Sequence, residues 1–114
     1  MSLFDSLVPF RGARKVRSLA DSLADQLTER VWEEAGVKAR YLSLAESRGY
    51  FRAHSNRIVR AELRKMASGT NAKLGPWQLH EVEVLAAETI VIRALQQLMR
   101  FRKQTSQTRH LKAA

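Results

Sequence analysis

Apolar positions recur at steps of three and four along most of this chain, the period of helices with one face turned inward. Val16, Leu19, Ala20, Leu23, Leu27 and Val31 make one narrow stripe, and Asp21, Asp25, Glu29 and Glu33 step along the other side as an acidic ridge. The spacing predicts a first helix from near Ala13 to Gly36, with the glycine as its stop. A second start is marked by Ser43 and Glu46, whose side chains can each cap the other's backbone amide, and the helix they open should run to about Ser68. Gly49 inside it costs about 1 kcal/mol relative to alanine, and is read as room for another helix to approach closely. The third helix opens at Pro76, where a missing amide does no harm, with Leu74 and Leu79 at the spacing of a hydrophobic staple.

This third segment differs from the other two. Between Val82 and Phe101, apolar residues fall on nearly every face: Val84, Leu85, Ile90, Val91, Ile92, Leu95, Leu98, Met99 and Phe101. Such a helix should be central in the fold or shared with a second subunit. The expected architecture is all-α, an antiparallel three-helix bundle over residues 13–103. A short apolar N-terminal arm (1–12) precedes it and a basic, frayed C-terminal tail (104–114) follows. With 114 residues, 45% of them hydrophobic, the chain can bury one modest core.

At about 100° per residue, the second helix separates its arginines into two groups. Tyr41, Leu44, Ala45, Phe51, Ile58, Val59, Leu63 and Met66 share an arc taken as the core face, and Arg57, Arg60 and Arg64 lie opposite it. Arg48 and Arg52 fall inside the apolar arc, where a guanidinium must pair with an internal acid or reach water along its aliphatic stem. Glu88, set among apolar neighbours on the third helix, is the natural partner, with Glu83 and Glu81 next.

Charge sharpens this reading. The formal net charge is +9, and residues 36–74 carry most of it, with nine cations against two acids. Residues 1–35 carry five cations and six acids, and residues 75–114 carry six and three. Arginine outnumbers lysine fourteen to six, which coding bias can also produce, so placement says more than the total. The ridge of Arg57, Arg60 and Arg64, with Lys65 at its edge, has the one-turn spacing that tracks phosphates, and nucleic acid is the favoured partner. The same ridge could instead meet an acidic protein surface or the acidic ridge of a second copy. As a third reading, the arm residues Leu3, Phe4, Leu7, Val8 and Phe10 dock in a partner groove or enter an anionic membrane surface. Arg11, Arg14, Lys15 and Arg17 would then meet the headgroups.

Catalytic signatures are missing. There is no cysteine, no glycine-rich phosphate loop and no nucleophile elbow. His80, Glu81 and Glu83 lack the second histidine of a zinc motif. The expectation is a non-enzymatic cytoplasmic protein with no cofactor, metal or small-molecule substrate.

Overall fold

A computed structural model describes residues 7–69 and 74–113 of the protein, with side chains placed for 14–66 and 74–106. They form three helices, α1 (Leu7–Ala39), α2 (Leu44–Gly69) and α3 (Pro76–Ala113), each packed against the other two. No strand occurs among the described residues. The all-α three-helix bundle is as expected.

Cross-helix pairs fix the directions. Arg93 meets Asp25, and Arg102 reaches the carbonyl of Ala39, so α3 ascends alongside α1. Arg60 meets Glu83 and Arg52 meets Glu88, so α2 runs against α3. The helix starts follow their local chemistry. The Ser43 amide donates to Glu46 Oε1 at 3.0 Å, and the Glu46 amide donates to Ser43 Oγ at 3.1 Å. Leu74 and Leu79 both pack on the core.

Two helices are longer than the pattern implies. α1 begins at Leu7, because Pro9 sits in its first turn, where the amide it lacks would have no helical partner. Leu7, Val8 and Phe10 of the arm therefore belong to helical backbone, whereas Leu3 and Phe4 lie outside the described residues. α3 continues through residues 104–113, which hold no glycine or proline to stop it, so the residues read as a tail belong to helical backbone.

Gly36 is not a stop. It lies inside α1, and a Cβ there would come within 2.9 Å of the Trp32 indole, so the missing side chain is where the ring lies. Gly49 is the opposite case: a Cβ would meet nothing within 4 Å, and no helix of the fold approaches it.

The core is built from Val16, Ala20, Leu23, Ala24, Leu27, Val31, Ala35 and Ala39 of α1, Phe51, Ile58, Val59 and Leu63 of α2, and Val82, Ala86, Ile90, Val91, Ala94 and Leu98 of α3. On α2 the buried face is rotated by about 40° from the expected arc, for a specific reason. Ser47 and Ser55, polar in the pattern, are fully buried, whereas Tyr41, Leu44 and Ala45 are exposed. The small serines let α1 come close at Ala39, whose carbonyl accepts a hydrogen bond from Ser47 Oγ at 3.1 Å. Arg48 and Arg52 are both exposed, correcting their expected burial.

Two pairs of substitutions test this packing. Gly49→Ala should raise stability by about 0.5–1 kcal/mol in urea unfolding. Gly36→Ala should give no such gain and should shift Trp32 fluorescence in a Trp77→Phe background; equal gains at both glycines would contradict the contact with Trp32. Ser55 Oγ is buried with no protein partner among the described residues. Ser55→Ala should therefore leave stability unchanged or higher, while Ser47→Ala lowers it by about 1 kcal/mol.

Candidate interaction surfaces

The α2 arginines are distributed among the acids of both neighbouring helices. Arg57 donates to Glu34 of α1 at 2.7 Å, and Arg60 donates to Glu83 of α3 at 2.8 Å. Both keep more than half of their side-chain surface in solvent, 58% and 57%. Arg64 and Lys65 are exposed. The ridge is therefore partly neutralised by the protein's own carboxylates.

Arg52 reaches both oxygens of Glu88, at 3.2 and 3.4 Å, so the anticipated partner is the one it finds. Each side chain is 45% exposed, which makes this a surface pair worth at most about 1 kcal/mol. Arg48 is exposed and makes no ion pair among the described residues.

Glu34 is a meeting point. Arg30, one turn before it, approaches at 3.4 Å, and His54 Nδ1 lies 3.6 Å away and accepts from Arg57 at 3.3 Å. The His54 ring stands edge-on to Tyr50. The hydrogen bond from Arg57 holds the Glu34 carboxyl below its ordinary value; partial desolvation opposes this, and Arg30 reinforces it. Glu46 is also lowered, first by the Ser43 amide. Among the described residues no cluster of three or more histidines and carboxylates could hold a metal ion.

The outer side of α3 carries a different feature. Alternating steps of four and three connect Glu81, Leu85, Glu88, Ile92, Leu95 and Met99 along one strip, and Trp77 and Val84 lie beside it. Five of these are large hydrophobics left exposed: Trp77 73%, Val84 49%, Leu85 39%, Ile92 51% and Met99 48%. Arg52 draws the Glu88 carboxylate toward α2, so the one charge in the middle of the strip is already paired. No helix among the described residues is long and apolar enough to cross a membrane.

A third feature, absent from the sequence reading, lies where α1 turns into α2. Arg102 donates to the carbonyls of Ala39 and Leu42 and so closes the C-terminal end of α1. Arg40 lies over the Phe101 ring, 4.2 Å from its centroid. These partners are about sixty residues apart in the chain, a separation no local pattern spans. No protein-family model, curated protein or solved structure matches the chain.

The Glu34 pairing has a pH signature. A carboxyl lowered in the folded state adds stability above its unfolded value and loses it as pH falls through the folded one. Glu34→Gln should be less stable at neutral pH and should lose less stability on acidification, read as urea midpoints across the acid range.

Proposed function

We propose that this protein is a non-enzymatic assembly module that pairs with a second copy of itself along the outer face of α3. The observation that carries this reading is the set of exposed large hydrophobics on one side of α3, Leu85, Ile92 and Met99 at steps of seven with Trp77 and Val84 beside them. A monomer gains nothing from holding such a strip in water, whereas a matching helix would bury it.

The charges on α3 favour an antiparallel partner. Glu81 and Lys103, both exposed, lie eleven residues to either side of Ile92. A two-fold axis at Ile92 sets Glu81 against the partner copy's lysine at each end, with Leu85 across from methionine and isoleucine on isoleucine at the centre. This is the self-complementarity that a two-fold interface requires. Running the helices parallel would align like charges instead.

The ridge of Arg57, Arg60 and Arg64 is less suited to be the primary contact, because two of its three guanidinium groups already face carboxylates of the fold. The arm reading rests on Leu3 and Phe4, outside the described residues, and on side chains of Leu7, Val8 and Phe10 that are likewise outside them.

Light scattering after size exclusion tests the pairing. The native chain should run as a dimer, and Ile92→Glu should run as a monomer of unchanged helicity. Glu81→Lys should weaken the dimer, and adding Lys103→Glu should restore it. A native monomer at high concentration, or a dimer indifferent to Ile92→Glu, would overturn the reading.

A further inference from the structure

The corner between α1 and α2 is bounded by two adjoining clefts. One, of ≈ 390 Å³, is lined by Arg40, Tyr41, Phe101, Arg102, Thr105 and Ser106. The other, of ≈ 400 Å³, adds Trp32 and Arg100 to the shared Arg40 and Phe101. The guanidinium of Arg40 stacked on Phe101 forms the divide between them.

The chemistry of this corner is one-sided: three arginines and three aromatic rings line the two clefts, and no carboxylate does. A contrasting cleft near the start of α1 brings Arg14 and Arg17 together with Asp21 and Asp25, so its charges offset one another. Of the acids on the neighbouring turns, Glu29 and Glu33 are exposed and line neither cleft, and two more are committed elsewhere. Glu46 is held in its cap by Ser43, and Glu34 is held by Arg30 and Arg57. Arg102 is occupied by the α1 carbonyls, which leaves Arg40 and Arg100 as the charges available to a ligand.

Tyr41 adds the second element. It lies on the turn, 85% exposed, with its ring face against no other ring among the described residues. An exposed aromatic ring beside a guanidinium plane and a second arginine is the arrangement that takes a base on the ring and phosphates on the cations.

We infer that this corner binds single-stranded nucleic acid, with a base stacked on Tyr41 and flanking phosphates on Arg40 and Arg100. A duplex keeps its bases stacked on one another and offers no face to Tyr41, and a phosphorylated peptide would have no need of the ring. The inference is independent of α3 pairing, since Ile92 and Leu85 lie on neither cleft.

Fluorescence anisotropy with labelled oligo-dT and oligo-rU of about a dozen nucleotides, at low salt, tests it, with a duplex of equal length alongside. Binding should be tighter to the single strands and should weaken steeply with salt, by a log–log slope of about 0.7 per phosphate contacted. Tyr41→Ala should weaken it roughly tenfold, within the range for loss of one stacked base. Arg100→Glu, at an exposed position without an ion pair among the described residues, should do the same while preserving helicity; Arg40→Glu combined with it should abolish binding. Arg14→Glu with Arg17→Glu, at the far end of α1, should stay within about twofold, since neither residue lies on the proposed path. The inference is overturned by no binding at low salt, by equal or tighter binding of the duplex, or by indifference to Tyr41→Ala and Arg100→Glu. Repeating the titration on Ile92→Glu separates the two ideas: retained binding supports a site held within one chain, and lost binding contradicts it.

Discussion

Everything in this fold depends on α3 lying in the groove between α1 and α2. Val82, Ala86, Ile90, Val91, Ala94 and Leu98 are all buried, and they supply the side of the core that the other two helices share. Four buried alanines of α1 and three of α3 keep the helices close, and the buried serines of α2 do the same on their side. Two neighbours cover only part of a helix's circumference, however. The remaining face of α3 carries Leu85, Ile92 and Met99, and no other element among the described residues covers it. The surplus that marks α3 as central also leaves large hydrophobics exposed on its outer side.

Electrostatics follows the same geometry. Acids on α1 and α3 stand beside α2, so Glu34, Glu83 and Glu88 each receive one of its arginines. These exposed pairs contribute little individually, but they determine where the net positive charge is not offset. One such place is the corner, where Arg102 closes α1 and Arg40 and Arg100 remain turned to solvent.

Much of the fold was legible in the sequence because its signals are local. The Ser43 and Glu46 cap and Pro76 at a helix start lie within one turn and form as their spacing implies, and Leu74 and Leu79 both pack on the core. The Arg52 and Glu88 pair was legible too, since Glu88 interrupts an apolar run. Its exposure was not, because the orientation of α2 depends on Ser47 and Ser55, which a polarity pattern assigns to solvent. Gly36 misled for a related reason: a glycine that ends a helix and one that makes room for an indole look alike until Trp32 is placed. The corner could not be read at all, because Arg40 and Phe101 become neighbours only once α1 and α3 run side by side.

The central claim is that the outer face of α3 is an interface between two antiparallel copies. The chain has no cysteine of its own, so single spin labels can be placed at Gln96→Cys and, separately, at Lys103→Cys. For a two-fold axis at Ile92, dipolar spectroscopy should give label separations along the helix axis of about 12 Å at the first site and about 33 Å at the second, at 1.5 Å rise per residue. Equal separations at the two sites, or no intermolecular coupling at either, would contradict the account.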